Sequence, residues 1–173
     1  MKHRFAGDEW QSIGPSHPSF KILHEEKMVR STPIALSGRR IQVILRGKFD
    51  SVLLLHDSRV VVCDFKTAPV KPEHIDKYWV QLHAYAYALE HPSLGSLPIP
   101  KVHGLGLAVF EPTLFEHDAR NGAALSGAMQ WIDVPRNDDR FLSFLNDVAS
   151  TLEQPEPPLA GENCQFCRFR QAA

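Results

Sequence analysis

The residues best placed to do chemistry lie in the run Val61-Val62-Cys63-Asp64-Phe65-Lys66-Thr67. Side chains alternate faces along a strand, so Asp64 and Lys66 share one face while Cys63 and Phe65 share the other. The second pair is apolar and belongs in a core. The first sets a carboxylate beside an ammonium at a strand end. Upstream stands Gly47-Lys48-Phe49-Asp50, and Asp50 and Asp64 are symmetric about Asp57. A hairpin turning there sets the two aspartates opposite each other. Like charges that close are unfavourable without a cation. A hard divalent ion resolves the conflict, because Mg²⁺ takes one or two carboxylates and completes its shell with water and substrate phosphate. Downstream, Tyr78, Gln81 and Tyr85 are spaced three and four apart and share one helix face. Beside a metal, such a polar-aromatic row could hold a phosphate, a base or the lysine.

The separate pieces carry little alone. Asp-x-Lys arises by chance in roughly one of every 250–300 triplets, so in isolation Asp64 and Lys66 read as an exposed strand pair. The informative signal is the combination of Gly-x-x-Asp on one strand, Asp-x-Lys on the next and Gln-x-x-x-Tyr on a following helix. Tyr78 and Tyr85 read equally as rim aromatics of a half-buried helix. His83 reads as a surface or structural residue, and His103 and His117 are isolated, with no ligand role expected. Glu111 and Asp133 read as strand-end acids. Arg39, Arg40, Arg46, Lys48, Lys71 and Lys77 flank the aspartates in sequence. They form either a phosphate-facing patch or a solvated face, the latter being the default.

The elements that must position these groups are legible in outline. Residues 1–20, rich in Ser, Pro, Gly and His, read as an irregular lead-in. Phe20 to Ile34 is expected as a strand, and Ser37-Gly38 as a tight turn. Ile41 to Leu55 is dense in Val, Ile and Leu and predicts a strand. Gly47 inside it suggests a bulge or a close backbone approach. His56-Asp57-Ser58 turns a hairpin into the strand Arg59 to Thr67, which Pro69 and Pro72 end. Glu73 to Glu90, free of Gly and Pro, predicts a helix with Trp79, Leu82, Ala86 and Leu89 on its buried face. The polar-aromatic row is rotated from that stripe by about one residue, roughly 100°. A Pro-rich loop covers 92–101, and Val102 to Phe110 reads as a strand ended by Pro112. Residues 113–128 give no clear signal. Met129 to Val134 predicts a strand, and Asp138 to Leu152 a helix capped by Asn137 or Asp138. The tail, 154–173, is Pro-rich and then carries Cys164-x-x-Cys167. This order predicts a mixed α/β or α+β layer, with helix packed on sheet.

The chain has 173 residues, 43% apolar and 23% charged. One domain is expected at this length, and the composition excludes a disordered or collagen-like chain. No apolar run approaches the roughly 18 residues of a membrane helix. Met1 to Trp10 lacks the apolar stretch of a secretory leader. With 19 Lys and Arg against 20 Asp and Glu, the net charge is −1. A global basic footprint for nucleic acid is thus missing, and phosphate binding must come from a local patch or a metal. Cys63, Cys164 and Cys167 are the only cysteines, too few for a disulfide framework, so a reducing, cytoplasmic setting is expected.

Three blocks together, Gly47-Lys48-Phe49-Asp50, Cys63-Asp64-Phe65-Lys66-Thr67 and Gln81-Leu82-His83-Ala84-Tyr85, resemble the PD-(D/E)XK nuclease superfamily. The nearest branch is the RecB-type exonuclease domain with its CRISPR-associated iron–sulfur relatives. The motif-bearing likeness spans about residues 22–90, and Cys164 to Arg170 resembles the end of the same domains. The resemblance implies a restriction-endonuclease-like α/β core, a central mixed β-sheet flanked by helices, and a Mg²⁺- or Mn²⁺-dependent deoxyribonuclease with exonuclease-like action. It implies that Asp50 and Asp64 bind the metal, with the backbone carbonyl of Phe65 as a further ligand. Lys66 then activates water or steadies phosphate charge, and Gln81 and Tyr85 line the site. DNA is the implied partner, beside a helicase or recombination protein or within a homo-oligomer. That branch usually adds a histidine from an N-terminal helix. Here His24 lies in an apparent strand and is not carried over, while Glu25 or Glu26 could lie beside the site but read first as a solvated face. The iron–sulfur relatives use four cysteines, so a complete cluster within this chain is not expected. Cys164 and Cys167 are either a residual clasp or a half-site completed by a partner. The rival readings are a catalytically inactive nuclease-fold module binding nucleic acid or a protein, and an unrelated α/β domain with a chance motif.

Overall fold

The computed structural model describes residues 9–10, 20–67, 75–118 and 122–172. Most of the lead-in, together with Pro69, Lys71, Pro72 and the helix start expected at Glu73, lies outside the described residues.

The elements run β1 (Glu9–Trp10), β2 (Phe20–Glu25), β3 (Met28–Arg30), β4 (Ile34–Ala35), β5 (Gln42–Val43), β6 (Arg46–Lys48), β7 (Ser51–Leu55) and β8 (Val60–Lys66), then α1 (Ile75–Glu90), β9 (Gly104–Asp118), β10 (Gly122–Val134), α2 (Asp138–Leu152) and α3 (Gln165–Ala172). The main sheet has the order β1-β2-β7-β8-β9-β10, and β3-β6 and β4-β5 form two small ribbons. Neighbours in the main sheet are antiparallel except β8 and β9, which run parallel. Parallel neighbours need a crossover, and α1 supplies it.

Two apolar clusters sandwich the sheet. Val52, Val62, Leu105, Leu107 and Val109 point toward α1 and α2, where Trp79, Leu82, Ala86, Leu89, Phe141 and Leu145 meet them. Phe20, Ile22, Leu53, Leu55, Val61, Cys63 and Ala108 fill the opposite face, with Phe65 packed against them. The helical stripe expected on α1 is buried throughout. α2 occupies Asp138–Leu152 as its cap signal predicts, with Asn137 Oδ1 accepting from Arg140 N at 2.9 Å. That bond satisfies one of the orphan N–H groups of the first turn.

Three expected strands are different in the structure. Phe20 to Ile34 is not one strand: the chain turns at Glu26, whose φ is 52°, so that β3 leaves the main sheet and pairs with β6. Ile41 to Leu55 likewise divides into β5, β6 and β7, an apolar run shared between the two ribbons and the main sheet. Pro112 does not end β9, which continues to Asp118. Beyond Val109 that strand has lost its β8 partner, and the ladder with β10 shifts register between Ser126 and Gly127, opposite Pro112 and Leu114. Proline is tolerated at such an edge or bulge. Residues 113–118 and 122–128 therefore form the outer part of a long β9–β10 hairpin.

Candidate functional site

β7 and β8 pair as Ser51↔Cys63, Val52↔Val62, Leu53↔Val61 and Leu54↔Val60. The same register, carried one residue further, sets Asp50 across from Asp64. The turn that fixes it is local. Ser58 adopts a φ of 64°, and Asp57 Oδ1 accepts from Arg59 N at 3.1 Å. Asp50 is clasped to the next strand, its Oδ2 accepting from Phe65 N at 2.9 Å. This bond holds a carboxylate at the end of β8 and uses the N–H of a residue whose side chain serves the other face.

Asp64 is 2% exposed. Gln81 Nε2 donates to its Oδ1 at 3.1 Å and to the Tyr85 hydroxyl oxygen at 3.0 Å. Its Oδ2 is ion-paired with the Lys66 ammonium, and that ammonium also lies over the Tyr78 ring, 4.6 Å from the centroid. Asp64, Lys66, Tyr78, Gln81 and Tyr85 are thus one connected group between β8 and α1. The three helix residues share the face their spacing predicts. Because the Tyr85 oxygen accepts from Gln81, its own O–H is left to donate elsewhere.

Gly47 fits this group from behind. A Cβ there would stand 2.7 Å from Tyr85 Cε1, so the close approach suggested by a glycine within an apolar run is made to the tyrosine ring. Phe49, two residues on, is completely buried and anchors the segment that delivers Asp50.

Cys63 is buried on the opposite face, as the alternation requires. Burial pushes its thiol far up, and the charges of Asp64 and Asp50 add to the effect. The group is a neutral core thiol at physiological pH.

The neighbouring groups sort differently from their sequence positions. Glu26 is ion-paired with Lys48, a pair that the sequence did not signal. Glu25 lies on β2 across from Ser51, and its Oε2 is buried without a hydrogen-bond partner among the described residues. His24 sits on β2 with Nδ1 3.3 Å from Lys27 Nζ. Burial, then the Lys27 charge, holds its imidazole below the usual range. The Arg39 guanidinium is engaged elsewhere, with α2, and Arg40 meets the end of that helix through its main-chain N–H. Arg39 Nε donates to Asn146 Oδ1 at 3.0 Å, and Arg40 N donates to Glu153 Oε1 at 2.6 Å. Of the six flanking basic residues, Arg39 is thus turned to α2 and Lys48 to Glu26, while Lys71 lies outside the described residues. His83 is buried and structural: Nδ1 donates to Trp79 O at 2.8 Å and Nε2 accepts from Asn137 N at 2.9 Å. His103 is structural too, its Nδ1 accepting from Val60 N at 3.1 Å.

Among the described residues, no group of three or more His, Cys, Asp or Glu side chains forms a metal-holding cluster. The site instead offers the carboxylates of Asp50 and Asp64, which the β7–β8 register sets across from each other. Hard oxygen donors in that small number suit Mg²⁺ or Mn²⁺, which complete their shells with water and phosphate oxygens. A buried aspartate facing one ammonium, beside a second aspartate, fits such an ion.

The family model described as the PD-(D/E)XK nuclease superfamily matches residues 3–172. The solved structure of SSO0001 is similar to the chain, with a TM-score of 0.48 and 15% sequence identity, over 87% of this chain and 59% of that one. The chain thus spans less than two thirds of that structure's length. No curated protein matches.

Proposed function

Because the chain belongs to the PD-(D/E)XK nuclease superfamily, we propose that it is a metal-dependent deoxyribonuclease, exonuclease-like and of the RecB-type branch, that hydrolyses phosphodiester bonds in a DNA repair setting. The fold is restriction-endonuclease-like, a central mixed sheet flanked by helices. The observation that carries the reading is the joining of Asp64, Lys66, Gln81 and Tyr85 into one bonded group, with Asp50 clasped to Phe65 N alongside.

Asp50, Asp64 and the Phe65 carbonyl would hold the divalent ion, Mg²⁺ or Mn²⁺. Such an ion supplies positive charge at the scissile phosphate and lowers the pKa of water so that hydroxide is accessible near neutral pH. The residues of the chain do the positioning. The Phe65 N–H bond fixes the Asp50 carboxylate, and the Gln81 amide fixes that of Asp64. Lys66, whose side chain is 24% exposed, can reach from Asp64 to an attacking water or to a phosphate oxygen. The Tyr78 ring lies beneath its ammonium as a cation–π partner. Tyr85, oriented by Gln81, presents its O–H toward substrate. Preorganised donors of this kind act where charge develops in the transition state.

The test incubates the protein with linear and circular, single- and double-stranded DNA, and with RNA, in Mg²⁺ or Mn²⁺. Cleavage of linear DNA that EDTA stops, and that Asp64→Ala and Lys66→Ala each abolish, is the expected result. DNA binding without cleavage under every metal condition would replace the enzyme with an inactive nuclease-fold module. A helicase or recombination partner, or a second copy, is proposed to supply the DNA-holding surface that a net charge of −1 does not provide.

A further inference from the structure

The β9–β10 hairpin outruns the sheet that carries it. β8 accompanies β9 only as far as Val109, and beyond that point residues 111–117 and 122–130 are exposed. The arm is nevertheless patterned. Side chains alternate along a strand, and directly paired residues share a face. Trp131, Met129 and Leu125 therefore lie on one face of β10, with Phe110 across from Met129 and Phe115 across from Leu125. Trp131 ties this row to the face that Cys63 fills. Its indole lies over Gly106 so closely that a Cβ there would stand 2.0 Å from it. Phe115 is 63%, Leu125 58% and Met129 41% exposed. Glu111 and Glu116 stand on the reverse face, across from Ala128 and Ala124. A contiguous apolar stripe left in water forfeits the stabilisation of burial, and such stripes mark interaction surfaces.

The strand edge points to the same conclusion independently. β10 is the last strand of the main sheet, so one side of its backbone faces no strand among the described residues. Exposed edges are ordinarily blunted by lysine, proline, an inward-pointing charge or a bulge. From Gly122 to Ile132, β10 holds no charged residue and no proline. The bulge opposite Gly127 places its extra residue, Thr113, on the inner strand, where Thr113 Oγ1 donates to Ser126 O at 3.4 Å. The edge strand itself runs on without an insertion. We propose that this edge pairs, antiparallel, with β10 of a second copy of the chain around a two-fold axis at Gly127.

A second copy is the occupant because β10 fits itself in that register. A two-fold contact brings the same patch of both copies together, so paired residues have numbers symmetric about 127. Leu125 then meets Met129 of the second copy, and Ala123 meets its Trp131, small against large. The apolar stripe becomes continuous across the axis, with Phe110 and Phe115 at its flanks. No charge opposes its like in the paired stretch from Gly122 to Ile132. Glu111 and Glu116 sit one strand back from the edge. Three strand spacings, about 14 Å, therefore separate the acids of the two copies, more than the screening length of about 8 Å. The same inventory disfavours nucleic acid, because the charged residues of both strands are acidic and repel phosphate. One strand edge is an interface at the small end of the range, so the dimer is expected to dissociate on dilution. This inference stands apart from the nuclease site and does not depend on it.

The experiment is sedimentation of the whole chain, reduced and free of DNA, from about 1 to about 100 μM. The expected result is a mass that rises from one chain to two across that range. Leu125→Lys and Met129→Glu each place two unpaired charges in the apolar stripe of the dimer, and each is expected to weaken association at least about a hundredfold. Both positions are exposed in the single chain, so an unchanged Tm shows that the fold is intact. The decisive arm mixes the two variants. In a mixed pair the introduced lysine faces the introduced glutamate on one side of the axis, and the native Met129 and Leu125 meet on the other, so the dimer is expected to return. A dimer that neither variant weakens, or variants that do not restore each other, would overturn the proposal. So would a parent chain that stays monomeric throughout, which leaves the arm to a different protein or, where Met129→Glu weakens binding of a DNA duplex, to DNA.

Discussion

Gly47→Ala is a one-methyl perturbation aimed at the back of the site. The added Cβ would stand 2.7 Å from Tyr85 Cε1, well inside ordinary carbon–carbon contact of about 3.5–4.0 Å. Something must yield by roughly 1 Å. The ring is rigid, and Tyr85 is tied to Gln81 by a 3.0 Å bond, so the displacement passes to the Gln81 amide that holds Asp64. Overpacking of this kind costs about 1–3 kcal/mol. A misplacement near 1 Å beside reacting groups costs about a hundredfold in rate. Backbone conformation does not confound the test, because Gly47 does not have a positive φ. The internal control is Tyr85→Ala, which removes the ring. In that background Gly47→Ala is expected to be neutral or to stabilise by about 0.5–1 kcal/mol, since Ala is better tolerated than Gly inside a strand. Urea unfolding of the four proteins closes the double-mutant cycle, and the coupling should come out at about 1–4 kcal/mol. DNA cleavage by the Gly47→Ala protein reads the kinetic half. Equal costs of Gly47→Ala with and without the ring would refute the packing argument. Full activity in a variant that shows the coupling would refute its link to the site.

Two further perturbations probe the scaffold. His83 is held below its ordinary value of 6.5, first by burial, and its Nε2 can accept from Asn137 N only while that nitrogen is unprotonated. The unfolded chain then takes the proton first, so stability is level above about pH 7 and falls below 6.5, by at most about 1.4 kcal/mol per pH unit for one proton; urea midpoints from pH 5 to 8 should lose part of this slope in His83→Gln, and an unchanged slope would reassign it. Arg136 Nη2 pairs with Glu90 Oε2 at 2.5 Å and its Nε with Asp138 at 2.8 Å. Arg136→Ala leaves the half-buried Glu90 carboxylate uncompensated at a cost of about 2–3 kcal/mol, measured by denaturant unfolding, and a loss below about 0.5 kcal/mol would show the cluster to be ornamental.

The site's juxtapositions were more legible in the sequence than the fold's outline, for a physical reason. A hairpin register is arithmetic once its turn is located, and His56-Asp57-Ser58 located it, so Asp50 and Asp64 followed. Helix periodicity likewise placed Tyr78, Gln81 and Tyr85 on one face, and α1 is long enough for the pattern to be unambiguous. The strands from Phe20 to Leu55 were harder, because both sheet and ribbon residues are apolar and alternate. Nothing local marks the left-handed Glu26 where the chain leaves the sheet. Pro112 misled for the opposite reason: its backbone defect is absorbed by a bulge that depends on Gly127, a residue fifteen positions away. Long-range pairings, such as Lys48 with Glu26 or Arg39 with the end of α2, leave no spacing signal. They depend on which ribbons pack where.

Those pairings decide the electrostatics of the site. Lys48 is neutralised by Glu26 and Lys66 by Asp64, while Asp50 is held by a backbone N–H. Three carboxylates thus face two ammoniums, and the Arg39 guanidinium is committed to α2. A polyanion gains nothing by approaching such a surface, since steering needs an excess of positive charge. In the proposed reading one divalent cation between Asp50 and Asp64 reverses the sign, taking the local balance from one negative charge to one positive. Binding of substrate and readiness for hydrolysis then depend on the same ion. Lys48 and Lys66 are already paired with carboxylates, so the grip of the site's own lysines on DNA is expected to be weak, with a shallow dependence on salt. The cost of that economy is reach, because a site whose two lysines are both paired retains a long substrate only if other basic groups or another chain hold it.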